Sequence, residues 1–195
     1  KGEQGGFFSP ARSNSTTLRV IVAALSFLCP LLFAGLCAAH PLGNFSISQY
    51  SALRVGQDSI TLRYIVDMAE IPTFQEIQET GIIPNGHDPN TQAYLAKKIL
   101  ALRDGLSLEI GGRRLPLHAE SKEIIFPAGA GGMPTLKIGV SYTARLPASA
   151  DGLKFSFNYR DGNFVGRAGW KEIIVAPAAG VQIENSSVPA SDRSA

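Results

Sequence analysis

Every second residue is apolar along three segments of the chain, 60–68, 136–146 and 153–159, and most residues between them are polar. Successive side chains of a strand point to opposite faces, so each segment predicts a strand with one face in a core and the other in water. This pattern is typical of antiparallel sheets. Shorter or less regular runs predict further strands at 45–55, 106–110, 115–117, 123–126, 170–176 and 181–184. About eight strands separated by turn residues predict a mainly β fold, an antiparallel, immunoglobulin-like β-sandwich.

A short helical insertion is predicted at about 71–105, where the period changes. Its first helix begins near Pro72. The second begins at Asp88, a residue type that caps helix N-termini, and continues with Pro89, which suits the first turn. Apolar residues then recur at helical spacing, at Leu95, Ile99 and Leu102. Gly105 is predicted to end this helix.

An uncharged apolar run, Val20–Ala39, precedes the alternating segments. Basic residues before it and the small residues Cys37-Ala38-Ala39 at its end predict a secretory signal, with residues 1–19 as n-region and flank and 20–39 as h-region and cleavage site. The alternative is an uncleaved membrane anchor, because about 20 apolar residues can span a bilayer. Pro30 and the small residues favour cleavage.

After the signal, we expect an extracytoplasmic β-sandwich domain at 40–184. The polar segment 185–195 predicts a linker that leads to a membrane domain in a longer protein. We therefore expect an exported chain on the periplasmic or extracellular face, tethered to the cytoplasmic membrane. Both cysteines lie in the signal, so the domain has no disulfide or thiolate ligand. The net charge of +2 also lies in the signal, which argues against nucleic acid as a partner.

The three histidines are the first candidates for chemistry. Cleavage after Ala39 would make His40 the mature N-terminus, where its α-amine and imidazole together suit Cu²⁺ or Ni²⁺. The alternative is that His40 merely suits the signal peptidase. His87 lies in a glycine-containing loop and His118 follows a predicted strand. Each is either a metal ligand or a solvated surface residue.

Two carboxylates, Asp67 and Glu70, lie at a predicted strand end beside the helical insertion. They could supply oxygen ligands to a divalent metal, or Asp67 could face solvent while Glu70 begins a loop. Together with the histidines they form the candidate site for Ni²⁺, Co²⁺ or Cu²⁺. The sequence has no GxSxG motif, P-loop or nucleophilic cysteine in the domain, so no enzyme activity is predicted.

A glycine-rich segment, Tyr159–Trp170, contains three glycines between two predicted strands. It predicts a shaped turn that fixes the fold, or alternatively a docking surface at one end of the sandwich.

Three stretches resemble a known family: HPLGNFSISQYSALRV (40–55), YIVDMAEIPTFQE (64–76) and FNYRDGNFVGRAGWKEIIV (157–175). They are similar, in the same order, to the exported N-terminal domain of bacterial nickel/cobalt transporters of the NicO type, and more loosely to HupE/UreJ proteins. The resemblance implies a permease for Ni²⁺ or Co²⁺ whose membrane domain is the partner of this domain. The family's membrane-embedded histidine and aspartate motif has no match here, so no transport residue is carried over.

The leading hypothesis is therefore an accessory domain of a nickel/cobalt-type transporter that captures or senses a divalent metal. A stand-alone secreted interaction domain without metal is the second hypothesis. The third is a copper oxidant built on a terminal histidine, which needs His40 and a second histidine at one ion.

Overall fold

The computed structural model describes residues 43–147 and 154–192, so the predicted signal at 20–39 lies outside the described residues. Within them the chain forms eight strands and two α-helices. In chain order these are β1 Ile47–Val55, β2 Ser59–Met68, α1 Glu70–Thr80, α2 Pro89–Asp104, β3 Leu106–Ile110, β4 Arg113–Arg114, β5 His118–Ile125, β6 Leu136–Arg145, β7 Phe157–Asp161 and β8 Lys171–Pro177. Single 3₁₀ turns occur at Gly43–Phe45 and Ala130–Gly132.

In this part of the chain the strands form two sheets, with orders β5-β6-β2-β1-β8 and β4-β3-β7. The run β1-β2-β6-β5 reproduces the A-B-E-D order of an immunoglobulin-type sheet, and β3 with β7 corresponds to the C and F strands of the facing sheet. The predicted mainly β fold with a helical insertion is confirmed.

One pairing departs from the antiparallel prediction, because β8 lies parallel to β1. The segment 162–170 crosses from β7 in one sheet to β8 in the other, and a crossover of this kind permits parallel pairing where a tight hairpin does not. The pairing begins before β8 itself, since the amide of Ile47 donates to the carbonyl of Ala168 at 2.7 Å and that of Gln49 to Trp170 at 2.8 Å.

The core lies between the sheets and is closed on one side by α2. The alternation predicted for β2 and β6 is confirmed, because the inward residues of both strands are buried. Fully buried side chains include Ile60, Leu62, Tyr64 and Val66 of β2, Leu136, Ile138 and Tyr142 of β6, Leu106 and Leu108 of β3, and Leu95 of α2. Burial of each such apolar side chain contributes about 1.5–3 kcal/mol, which is how a domain without disulfides is held together.

The helical insertion follows its local signals. The carboxylate of Asp88 accepts from the amides of Asn90 at 2.9 Å and Thr91 at 3.0 Å, as expected of an N-cap. The first helix ends at Gly81, which adopts φ 70°. Neither helix of the described residues combines the length and the apolarity that a membrane span requires.

The C-terminal part differs from the expectations in detail. Strand β7 begins at Phe157 rather than at residue 153, and residues 181–184 are neither helix nor strand. The segment predicted as a linker contacts the domain over its described part. The amide of Val175 donates to the carbonyl of Pro189 at 3.0 Å, and Val188 packs against the core.

Candidate functional site

The strand register places four connecting segments at one end of the sandwich. Ile47 at the start of β1 lies opposite Met68 at the end of β2, which in turn lies opposite Leu136 at the start of β6. Segments entering β1, joining β5 to β6 and entering β8 therefore meet here, and the backbone of Gly86 lies against the Ile124 carbonyl at the end of β5. We call these four segments the loop end; they are residues 43–46, 81–87, 126–135 and 162–170.

The loop end is apolar at its surface. Of the eight large apolar side chains that are exposed in the described residues, five lie on its segments: Phe45, Ile83, Met133, Val165 and Trp170. Scattered exposed apolar residues are normal, whereas a concentration of them at one end marks an interaction surface. Its segments carry one formal charge, that of Arg167. The loop end is therefore the part of the described surface best suited to docking.

A buried network of polar groups around Asp161 holds the start of the glycine-rich segment 162–170. The side chain of Asp161 is 3% exposed. Its carboxylate accepts hydrogen bonds from the Tyr64 hydroxyl at 3.1 Å and from the backbone amide of Asn163 at 2.8 Å. The side-chain amide of Asn163 donates to the carbonyl of Leu102 at 2.9 Å. Burial, and then the charge of Asp161, raise the pKa of Tyr64, so its hydroxyl remains a donor.

Lys171 closes this network from the β8 side. Its Nζ donates to the carbonyls of Asp161 at 3.1 Å and Asn163 at 2.8 Å, and lies 3.9 Å from the Asp161 carboxylate. Phe164, the residue after Asn163, has φ 51°, which is uncommon for a side chain of this size. Its ring lies 6.0 Å from Lys98 Nζ, a cation–π distance. These contacts hold the segment in one conformation.

A second anchor lies under segment 126–135. Glu70 begins α1 and is buried, and its Oε1 accepts from the amide of Ala130 at 2.6 Å. That hydrogen bond, and then the one from the amide of Glu70 itself, lower the pKa of the Glu70 carboxyl. Gly129 lies so close to Glu70 that a Cβ there would approach Oε1 to 2.5 Å. Glu70 is thus an anchor for a loop rather than a free ligand.

We expect Glu70→Gln to lower the free energy of unfolding at neutral pH. The folded-state pKa lies below the ordinary value of 4.5, so the carboxylate stabilises the fold above pH 4.5 and this contribution is lost as the pH falls through the folded-state pKa. The difference from wild type should therefore shrink in acid, as measured by urea denaturation across this range. Glu79→Gln, at an exposed position of the same helix, is the control and should change little. A difference that is independent of pH would contradict the assignment.

The two histidines in the described residues lie far apart. His87 is exposed in an open groove of 470 Å³ beside Ile124 and Phe126. His118 is exposed in another groove, of 430 Å³, beside Arg103. Since His118 begins β5 and residues 124–125 end it, the two grooves are separated by about 20 Å at 3.3 Å per residue. The two histidines therefore cannot bind one ion.

The carboxylates of Asp67 and Glu70 also bind different partners. Asp67 lies on the outer face of β2 and forms an ion pair with Lys137 of β6 at 3.0 Å, whereas Glu70 binds the Ala130 amide. In residues 43–147 and 154–192 no three histidine, cysteine or acidic side chains are placed to hold a metal ion. His40 lies outside the described residues.

Sequence reasoning missed segment 126–135 as part of the site. The readable signal was its composition, FPAGAGGMPT, which has no charge and three glycines in ten residues. The sequence predicts a shaped turn or a docking surface at Tyr159–Trp170, and residues 162–170 of this segment belong to the loop end. Comparisons of the chain with known protein families, with curated proteins and with solved structures found no match.

Proposed function

We propose that this chain is the exported accessory domain of a nickel/cobalt-type membrane transporter and lies outside the cytoplasmic membrane. The observation that carries the proposal is the arrangement of the three stretches that resemble NicO-type transporters, 40–55, 64–76 and 157–175. Their described parts are neighbours: β1 pairs with both β2 and β8, and Arg167 donates to Gln75 of α1 at 3.4 Å.

This contiguity supports the resemblance in physical terms. A chance likeness has no reason to fall on segments that pair with one another after being separated by up to 80 residues of sequence. The stretches also provide two of the four segments of the loop end and most of the Asp161 network. The resemblance therefore covers a structural unit rather than three isolated strands.

Nickel or cobalt is the transporter's substrate in this proposal. The accessory role does not depend on His87, His118, Asp67 and Glu70 as one ligand set, because each of them has separate surroundings. His40, with the α-amine that signal cleavage would expose, remains the predicted position for contact with Ni²⁺, Co²⁺ or Cu²⁺.

Deleting the gene in its host is expected to change cellular accumulation of Ni²⁺ or Co²⁺ and to leave Zn²⁺ unchanged, as measured by elemental analysis of washed cells. Complementation with the wild-type gene should restore accumulation. The double variant His87→Ala/His118→Ala should restore it equally well, because the proposal assigns metal contact to His40 and these two side chains lie exposed in separate grooves. Unchanged Ni²⁺ and Co²⁺ after deletion would contradict the proposal and leave a secreted interaction domain as the function.

A further inference from the structure

The exposed apolar residues of the loop end are concentrated near the start of β1. Val165 is 81% exposed, Phe45 is 56% exposed and Trp170 is 50% exposed. Phe45 immediately precedes β1, and the segment carrying Val165 and Trp170 is hydrogen-bonded to the first residues of β1 through Ala168 and Trp170. Ile83 and Met133 project from the two remaining segments of the same end. One end of the domain thus presents aromatic and aliphatic side chains on short loops.

The loop end can leave water at low cost. Its four segments carry one formal charge, that of Arg167, among thirty residues. Removing an ion from water is far more costly than removing a glycine or an alkyl group. Several loop amides are also paired within their own loops, such as Gly129 with the carbonyl of Met133 at 2.8 Å. This end is therefore suited to an apolar environment.

Both ends of the described chain lead to the loop end. The first described residue, Gly43, lies in one of the segments of this end. On the other side, the chain turns back after β8. The Asp192 carboxylate lies near the hydroxyl of Tyr50. Tyr50 is three residues closer to the start of β1 than Leu53, which pairs with Val175. The described chain therefore starts at the loop end and runs back toward it after β8.

We propose that the loop end contacts the phospholipid bilayer, with Phe45, Val165 and Trp170 in the interfacial region. Tryptophan favours this region because the indole combines an apolar ring with a polar N–H, and phenylalanine contributes apolar surface to segments that bind there. The proposal rests on the membrane location in the proposed function. With one arginine at the surface, the contact is hydrophobic and nearly independent of lipid charge.

The chain has a single tryptophan, so its fluorescence reports on this end alone. The protein, purified as its exporting host processes it, is mixed with phosphatidylcholine vesicles. We expect the Trp170 emission to shift to shorter wavelength and to be quenched by brominated phosphatidylcholine. Replacing part of the lipid by phosphatidylglycerol, or adding salt, should change little.

Surface variants separate the loop end from any other membrane attachment. Phe45→Ser and Val165→Ser should each weaken the lipid-dependent quenching of Trp170, with the partition coefficient falling about tenfold per side chain. Leu100→Ser is the matched control, because Leu100 is 48% exposed on α2, outside the loop end. It should leave quenching unchanged.

Trp170 emission that does not respond to vesicles would overturn the proposal, as would quenching that is insensitive to both serine variants. Self-association of the lipid-free protein with a shifted Trp170 emission, and no response to lipid, would also overturn it and assign the surface to a second copy. The nickel measurement is separate: vesicle binding with unchanged metal accumulation contradicts the transporter role alone.

Discussion

Gly169→Ala is expected to lower the free energy of unfolding by about 3 kcal/mol or more, the sum of overpacking and of backbone strain. Gly169 has φ 138°, and a Cβ added to it would collide with the carbonyl oxygen of Ile47 and lie 2.6 Å from its carbonyl carbon. These are backbone atoms of β1, fixed by the hydrogen bonds of Ile47 and Gln49 to the crossover segment. Relief of the clash therefore requires separation of β1 from the segment that begins β8.

Gly111→Ala is the control for this prediction. Gly111 also has a positive φ, 56°, but a Cβ there meets nothing within 4 Å. We expect it to lose only the conformational contribution, about 1 kcal/mol. Urea denaturation of both variants measures the difference. Equal losses would show that the close approach to Ile47 is not what Gly169 provides.

The elements that the sequence predicted well are those fixed by local chemistry. The period-two alternation of β2 and β6 determines which face is buried, because a strand with every second residue apolar has only one way to bury them. The second helix likewise has its cap, Asp88, and its terminator, Gly105, within its own sequence. Such signals need no information from elsewhere in the chain.

The parallel pairing of β8 with β1 was not predictable in this way. It depends on the crossover segment 162–170, whose course is set by Asp161, Tyr64 and Asn163 together. Tyr64 precedes Asp161 and Asn163 by about a hundred residues. Its place in the period-two pattern of β2 predicts only that its side chain lies in the core. The partners of a buried polar group are a tertiary property, which periodicity does not encode.

The candidate site shows the same limit. The residue types of Asp67 and Glu70 suggested metal ligands, but their partners are a lysine on a neighbouring strand and a backbone amide 60 residues away. A backbone amide has no residue-type signal at all. The four segments of the loop end could each be read as loops, yet only the register of β1, β2 and β6 shows that they share one end.

Asp161→Ala is expected to lower the free energy of unfolding by about 3 kcal/mol, because it removes a buried charged acceptor and leaves its donors without a partner. The Tyr64 hydroxyl and the backbone amide of Asn163 both lose their acceptor. Water cannot reach them readily, since the Asp161 side chain is 3% exposed. Denaturant unfolding measures this loss. Asp58→Ala, at an exposed turn, should change stability by no more than about 0.5 kcal/mol.

A double-mutant cycle with Tyr64→Phe separates the lost hydrogen bond from the unpaired donor. Tyr64→Phe removes the hydroxyl that Asp161→Ala would leave without an acceptor, so the double variant should lose less stability than the sum of the two single variants. The coupling should be about 1 kcal/mol or more for groups in direct contact. Strictly additive losses would show that Tyr64 and Asp161 stabilise the crossover independently, and that the segment carrying Trp170 is held mainly by Lys171 and the pairing with β1.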